Sequence, residues 1–169
     1  MTSVLASEER VRAALEGVEE AGIAAVNAPE SVVVSGSAAG VRQVVERLAA
    51  QGARTRDLEV SHAFHSFLME PVLDRFEEEV RRMALRAPSI PLVSNLTGDL
   101  LRPGDAVDPR RWRRHIREPV RFSASVQKLA DLGVDSFLEI GPHPSLSGLG
   151  AQTLGSGALW APSLRKGMP

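Results

Sequence analysis

The hydrophobic and polar positions of the first sixty residues alternate between strand-like and helical patterns. Short apolar or β-branched runs predict strands at residues 2–6, 23–26, 32–36 and 54–60. Two intervening stretches place apolar residues at i, i+3, i+4 and i+7, which is one face of a helix: Val11, Ala14, Leu15 and Val18, then Val41, Val44, Val45 and Leu48. Ser7 and Ser37 precede these stretches as candidate N-caps, and Gly22 and Gly52 are predicted to end them. The order β-α-β-β-α-β predicts a ferredoxin-like arrangement.

The remainder of the chain is predicted to alternate longer helices with few strands. A long helix is expected to end near Pro88, with an apolar face made of Met69, Val72, Leu73, Phe76, Val80 and Met83. After it we expect a strand at 91–94, a loop at 97–109, helices at 110–116 and 122–133, a strand at 136–140, a helix at 146–154 and an apolar run at 159–161. This order indicates α/β layers. The sequence therefore predicts a ferredoxin-like βαββαβ subdomain at 1–60 and a part of an α/β subdomain at 61–169.

Composition excludes several classes of function. The 169 residues contain 20 Lys plus Arg against 21 Asp plus Glu, so the net charge of −1 gives no electrostatic case for nucleic acid or an acidic membrane. Cysteine is absent, which excludes disulfides, a thiol nucleophile and zinc–thiolate or iron–sulfur sites. The hydrophobic share of 43% is that of an ordinary globular protein.

The beginning of the sequence carries no basic, apolar leader, and no run approaches the ~18 apolar residues of a membrane span. We therefore expect a cytoplasmic protein. Val4 and Leu5 already belong to the first predicted strand, so this start suits a fragment as well as a whole protein.

The densest cluster of reactive side chains is Ser61-His62-Ala63-Phe64-His65-Ser66, between the fourth strand and the long helix. A histidine here could act as a general base, because its ordinary pKa of ~6.5 allows either protonation state near neutrality. The i, i+3 spacing of His62 and His65 also resembles half a metal site, although His115 and His143 lie far away in sequence. A structural alternative is that one histidine packs and the other caps the helix.

Other candidates are weaker. No G-x-S-x-G elbow and no glycine-rich phosphate loop occurs, and Ser37 is better explained as a helix cap. The arginine run at 110–117 could bind phosphate, but a solvated helix face is the simpler interpretation at this net charge. Glu139 stands at a strand end, where sites form in α/β proteins, yet it has no partner carboxylate in the sequence nearby.

Taken together, six strings resemble one family, the acyltransferase domain of type I modular polyketide synthases, which are relatives of malonyl-CoA:acyl carrier protein transacylase. The strings are AAVNAPESVVVSG at 24–36, VSHAFHS at 60–66, VSNLTG at 93–98, RRHIREPVRF at 113–122, EIGPHP at 139–144 and PSLRKG at 162–167. They occur in the family's order over practically the whole chain. The resemblance implies an α/β-hydrolase-like subdomain interrupted by a ferredoxin-like one.

The resemblance also implies a reaction and its residues. In the family a serine attacks the thioester of malonyl-CoA or a related acyl-CoA, and the acyl group then passes to the phosphopantetheine thiol of an acyl carrier protein. By position, His65 matches the histidine that takes the serine proton, and the backbone carbonyl of His115 matches the one that orients it. His62, Ala63 and Phe64 match the acyl-pocket tetrapeptide, whose HAFH form is associated with malonyl units because Phe64 leaves less room for a methyl branch. No cofactor or metal is implied.

The sequence departs from the family in lacking the G-H-S-x-G serine, the glutamine-bearing oxyanion loop and the carboxylate-binding arginine, so we expect the C-terminal half only, inactive alone. The missing strands should expose Met69, Val72, Phe76 and Val80. A ketosynthase or the N-terminal half is the expected neighbour. Two alternatives remain open: a non-catalytic module that docks carrier proteins, and one piece of a split enzyme.

Overall fold

The computed structural model describes residues 1–102, 104–165 and 167, and its first fifty-seven residues form a four-stranded antiparallel sheet with two helices. The elements are β1 (Thr2–Leu5), α1 (Glu8–Leu15), β2 (Ala21–Ala28), β3 (Ser31–Gly36), α2 (Ala38–Ala50) and β4 (Arg54–Asp57). The strand order is β2-β3-β1-β4, with β1 between β3 and β4 and antiparallel to both. The predicted β-α-β-β-α-β order is therefore confirmed, and the four strands form one sheet.

Both predicted serine caps are present. The Ser7 hydroxyl accepts from the backbone N–H of Arg10, and the Ser37 hydroxyl accepts from that of Gly40 at 3.0 Å. The prediction that α1 reaches Gly22 is wrong, because α1 ends at Leu15. Gly17 adopts a left-handed φ of 72°, which glycine tolerates at a helix end, and β2 consequently begins earlier, at Ala21.

One apolar core lies between the sheet and these two helices. Four of its fully enclosed side chains come from four different elements and have 0% exposure: Val4 of β1, Val11 of α1, Val34 of β3 and Leu48 of α2. They come from the strand runs and helical stripes identified in the sequence. Their β-branched and aliphatic side chains account for the close association of the sheet and helices.

The second part of the chain contains four α-helices and two small sheets among the described residues. A 3₁₀ turn at Phe67–Met69 leads into α3 (Glu70–Arg81), and the following elements are β5 (Val93–Ser94), β6 (Asp99–Leu100), α4 (Pro109–Arg117), α5 (Phe122–Asp131), β7 (Ser136–Glu139), α6 (Ser145–Leu154) and β8 (Leu159–Pro162). β5 and β6 are antiparallel, whereas β7 and β8 are parallel and joined by α6.

The predicted extent of the long helix is wrong. α3 ends at Arg81, because the N–H groups of Arg82 and Met83 bond to carbonyls three residues back rather than four, which tightens and closes the last turn. The predicted loop at 97–109 also contains β6, which sequence reasoning missed, and its Pro103 lies outside the described residues.

The two parts of the chain contact each other through the segment after α4. The N–H of Val26 donates to the carbonyl of Val120 at 2.8 Å, and the N–H of Val120 donates to the carbonyl of Ala24 at 2.8 Å. Arg121 also forms an ion pair with Glu8 of α1, at 2.7 Å. The segment after α4 is thus an extra edge segment on β2. The boundary after residue 60 stays a prediction, and Lys166, Met168 and Pro169 of the predicted range 61–169 lie outside the described residues.

The predicted exposed face of α3 is only partly present. Val72 is exposed, but Val80 is buried, and Met69 and Phe76 are half-buried, because α4 packs along α3. The larger exposed apolar surface lies on the β7–β8 sheet, where Leu138 is 66% and Leu159 is 65% exposed. Among the described helices, none is long and apolar enough to cross a membrane.

Candidate active site

The turn before α3 holds His65 in an unusual backbone conformation. His65 has a φ of 57°, the only left-handed non-glycine residue in the part of the chain that the structure describes. The buried Ser66 stabilises this turn: its hydroxyl donates to the carbonyl of Ala63 at 2.6 Å and accepts from the N–H of Leu68. A left-handed residue with a side chain carries ~1–3 kcal/mol of strain, and such residues cluster at functional sites. The alternative that a histidine caps the long helix is wrong, since Ser66 caps the 3₁₀ turn and Met69 stands at the N-cap of α3 with no side-chain hydrogen bond.

The C-terminal end of α4 presents free carbonyl groups beside this turn. In a continuing helix the carbonyl of His115 would accept from the N–H of residue 119, but Pro119 has none. The next two N–H groups, those of Val120 and Arg121, donate to the carbonyls of Ala24 and Asn95 instead. The last turn of α4 therefore keeps acceptors available to another side chain.

The imidazole of His65 uses these carbonyls. Its Nδ1 lies 2.9 Å from the carbonyl oxygen of Glu118. The carbonyl of His115 also contributes, by raising the pKa of the ring. Sequence reasoning named His115 alone. Glu118 was missed because it is the residue before Pro119, whose ring disfavours a helical conformation there and turns the Glu118 carbonyl away from the helix. A proline directly after a predicted helix was the signal that could have found it.

This contact sets the protonation of the ring. A carbonyl can only accept, so Nδ1 carries the proton and, in the neutral ring, Nε2 keeps its lone pair. Burial lowers the pKa of His65 below its ordinary value of 6.5, and the two carbonyls oppose that effect only in part. Burial also lowers the pKa of His115, with the nearby His65 and Arg111 adding to it. Near neutrality the His65 imidazole is therefore neutral and held in one orientation.

Of the other three predicted pocket residues, two line a cleft and Phe64 does not. His62 and Ala63 line a cleft of about 590 Å³, together with residues of β1, α2 and the end of β4. This volume lies in the range of small-molecule sites. Phe64 is 40% exposed, and its ring lies against that of His62 with centroids 5.8 Å apart. Arg42 of α2, to which sequence reasoning gave no role, also lines this cleft.

Two further candidates have structural roles. The arginine run is not a freely solvated face: Arg113 pairs with Asp74 and Glu77, Arg117 with Glu70 and Arg114 with Glu118, all through ion pairs. Glu139 caps α6, because its carboxylate accepts from the N–H of Leu146 and from the N–H and hydroxyl of Ser147. The Ser147 hydroxyl is the main cause of a lowered pKa at Glu139.

A metal centre finds no support in the described residues. Within 1–102, 104–165 and 167, no group of three or more metal-binding side chains lies close enough together to hold an ion. His62 instead bonds through Nδ1 to the hydroxyl of Ser61 at 2.9 Å, and His65 faces α4.

Comparison with known proteins identifies the family. The sequence model of the acyl transferase domain matches residues 1–168. The phenolphthiocerol synthesis polyketide synthase Pks15/1 of Mycobacterium bovis is 48% identical over 155 residues, which are 91% of this chain and 7% of that protein. Polyketide synthase GfsA of Streptomyces halstedii is 46% identical over 158 residues, covering 93% of this chain and 2% of that protein.

Solved structures give the same result. The acyltransferase domain from the second module of the salinomycin polyketide synthase superposes with a TM-score of 0.93 at 46% identity, covering 99% of this chain and 40% of that one. The malonyl-transacylase PlMCAT, solved with its acyl-carrier protein AntF, has a TM-score of 0.87 at 26% identity, over 95% of this chain and 53% of that one. This chain thus spans less than a tenth of the two curated relatives and 40% of the salinomycin domain. With its family-model match, sequence strings and fold all in agreement, the chain belongs to the acyl transferase domain family, of the kind found in type I polyketide synthases.

Proposed function

We propose that this chain provides the general base and part of the acyl pocket of an acyltransferase that moves malonyl groups from coenzyme A to an acyl carrier protein. The observation that carries the proposal is the 2.9 Å contact between Nδ1 of His65 and the carbonyl of Glu118, which leaves Nε2 as a proton acceptor. The named activity of PlMCAT and its complex with a carrier protein support the substrate and the partner.

In the proposed reaction, Nε2 of His65 takes the proton of a serine hydroxyl as the serine oxygen attacks the malonyl thioester. The C–S bond breaks, the coenzyme A sulfur leaves with that proton, and an acyl-serine ester remains. The pantetheine thiol of the carrier protein then gives its proton to Nε2 and attacks the ester carbonyl. Breaking the C–O bond returns the proton to the serine and leaves malonyl-pantetheine. Every proton passes through one nitrogen, so the ring needs a fixed orientation and a neutral resting state.

The serine is not among these 169 residues, since no G-H-S-x-G string occurs in them. The β7–β8 sheet indicates how a serine-bearing segment could join. One face of it, with Phe137 and Trp160, is half-buried against α6, whereas Leu138 and Leu159 on the other face are exposed. Parallel sheets are normally covered on both faces. We propose that a segment outside these residues, in the same polypeptide or another, covers this face and supplies the nucleophile.

The test is transfer of radiolabelled malonyl from malonyl-CoA to holo acyl carrier protein, with this chain joined to or mixed with a serine-bearing acyltransferase segment. We expect transfer, and a loss of ~10²- to 10⁴-fold in His65→Ala, the usual contribution of a general base. His143→Ala is the matched control, because His143 is exposed and lies in the loop before α6. Transfer that is unaffected by His65→Ala would refute the proposal.

The same assay separates the alternative functions. The chain without a serine-bearing segment should bind no malonyl covalently, which mass spectrometry of the intact protein measures. If no pairing gives transfer and the chain still binds holo carrier protein, it is a docking module. If a separately expressed serine segment restores transfer, the split-enzyme form is supported.

A further inference from the structure

The pairing of α3 with α4 determines where His65 lies relative to its carbonyl partner. His65 precedes α3 by five residues, and the 3₁₀ turn at Phe67–Met69 connects them without a loop. The accepting carbonyl of Glu118 belongs to the C-cap of α4. The imidazole and its acceptor are therefore carried by two different helices, and sliding one helix along the other changes their separation.

A ladder of ion pairs joins these two helices. Arg117 contacts Glu70 at 3.2 Å, and one turn away Arg113 contacts both Asp74 and Glu77. The acidic partners advance along α3 as the arginines go backwards along α4, so the helices are antiparallel and each step is one turn. Glu77 is the enclosed member, with only 11% of its side chain exposed.

The apolar side chains of α4 do little to favour one register of α4 on α3 over a register one turn away. Its nine residues include two apolar side chains, Trp112 and Ile116, one turn apart, and five arginines. A slip of one turn would move α4 by 5.4 Å along its axis, far beyond the reach of a hydrogen bond. The ladder opposes such a slip, because it would place arginines opposite the wrong α3 positions. Fixing register is the best-supported role of partly buried charged groups.

We propose that the Arg113–Glu77 and Arg117–Glu70 pairs are positioning contacts that set the register of α3 on α4 and so hold the His65 imidazole against the Glu118 carbonyl. This proposal rests on the proposed function in assigning His65 a catalytic role. It assigns Arg113 and Glu77 no contact with substrate. The Arg117–Glu70 pair is exposed and adds little stability, and Glu77 keeps Arg81 as a partner when Arg113 is replaced. The expected effect is therefore on the geometry of His65 rather than on folding.

The chain offers a matched pair of variants. Arg113→Gln removes the cross-helix partner of Glu77, whereas Arg81→Gln removes its other partner, which lies on α3 itself at 2.5 Å. Both changes remove one positively charged partner of the Glu77 carboxylate. Only the first removes contacts between the helices, those of Arg113 with Asp74 and Glu77, so an effect that comes from the charge beside Glu77 alone should appear in both.

The first measurement is the tautomer of His65, read from the ¹⁵N chemical shifts of its ring in the full chain. We expect the Nδ1–H form in the wild type and in Arg81→Gln, and a shift towards the Nε2–H form, which is preferred by free histidine, in Arg113→Gln. The second is transfer activity with the serine-bearing segment. There kcat should fall about 10-fold or more in Arg113→Gln, because a misplacement of 1 Å can cost 10²-fold, and stay within twofold in Arg81→Gln.

Unchanged tautomer and rate in Arg113→Gln would overturn the proposal, as would equal effects in the two variants. If Arg113→Gln does not fold, as judged by circular dichroism, the exposed Arg117–Glu70 pair provides a second test. Glu70→Arg and Arg117→Glu should each shift the tautomer of His65, and combining the two changes should restore the wild-type tautomer. Failure of the swap to restore the tautomer would also overturn it. The NMR result does not depend on catalysis, so it remains informative even if His65→Ala shows that the proposed function is wrong.

Discussion

Two glycines of α6 should respond in opposite ways to the same added methyl group. Gly150 is buried where α6 crosses β8, and a Cβ built on it would lie 1.9 Å from Cη2 of Trp160 and within 2.5 Å of two further ring carbons. Gly148 lies half a turn away on the same helix, and a Cβ there meets nothing within 4 Å. Gly150→Ala and Gly148→Ala therefore compare a blocked site with an open one at equal chemistry.

The structure sets the size of both effects. Carbon atoms in contact are ~3.5–4.0 Å apart, so the Trp160 ring must move by about 1.5–2 Å to admit the methyl group of Gly150→Ala. It cannot do so freely, because the ring is stacked on Phe137, with centroids 4.2 Å apart and planes 11° from parallel. Overpacking costs ~1–3 kcal/mol, and an overlap this large belongs at the upper end. Alanine recovers about 1 kcal/mol of helix propensity at either site. We expect Gly150→Ala to lose about 2 kcal/mol and Gly148→Ala to gain up to 1.

Urea denaturation followed by circular dichroism measures both free energies of unfolding, and tryptophan fluorescence reports the environment of Trp160 together with that of Trp112. For a chain of this size 1 kcal/mol corresponds to about 2–4 °C in Tm, so the two variants should melt on opposite sides of the wild type. If Gly150→Ala is as stable as Gly148→Ala, then α6 does not pack closely against the Trp160 ring at Gly150, and the expected packing of α6 on β8 is refuted.

Four further outcomes follow from the site and its surroundings. Because burial lowers the pKa of His65, the acid limb of kcat/KM should lie below pH 6.5, with activity lost as pH falls through the folded-state pKa; a limb at or above 6.5 contradicts the assignment. The pKa values of His65 and His115 are lower in the folded chain than in the unfolded one, so the unfolded chain binds protons more readily at these two residues. The free energy of unfolding should therefore be highest above about pH 6.5 and decline as the pH falls below it. The double variant His65→Gln, His115→Gln should flatten that decline, as measured by urea titration at each pH. In a competition assay Phe64→Ser should raise the use of methylmalonyl-CoA relative to malonyl-CoA by ~10- to 200-fold. An unchanged ratio would refute the predicted role of Phe64 in the acyl pocket. Glu139→Gln should lower the Tm, because the first turn of α6 loses a charged acceptor for Leu146 and Ser147, while activity per folded molecule stays unchanged.

The small sheet could be predicted because its signals are local. Ser37 caps the helix that follows it, and the apolar spacing of Val41 to Leu48 describes the buried face of α2. Helix ends were harder, because they depend on where the next N–H groups go. α1 stops at Leu15 through a left-handed Gly17, and neither the apolar stripe nor the later Gly22 contains that information.

The site could be predicted only in part for a related reason. His65 was identified by resemblance, and its role stays a prediction, but its hydrogen-bond partner is fifty-three residues away and is a backbone carbonyl. A backbone carbonyl has no residue type, so a sequence pattern cannot display it. What the sequence does contain is Pro119, whose missing N–H frees one carbonyl of α4 and whose ring turns that of Glu118 outwards.

The position of the His65 imidazole also depends on the small sheet. The end of α4 is held by Val120, whose N–H and carbonyl bond to Ala24 and Val26 of β2, so the acceptor of His65 is anchored to the sheet rather than to α4 alone. β2 is an edge strand in the order β2-β3-β1-β4, and Val120 extends it by an isolated parallel bridge. A change that loosens this edge moves the Glu118 carbonyl with it, while the ion pairs between α3 and α4 hold the histidine side. The orientation of the His65 imidazole therefore depends on contacts in both parts of the chain.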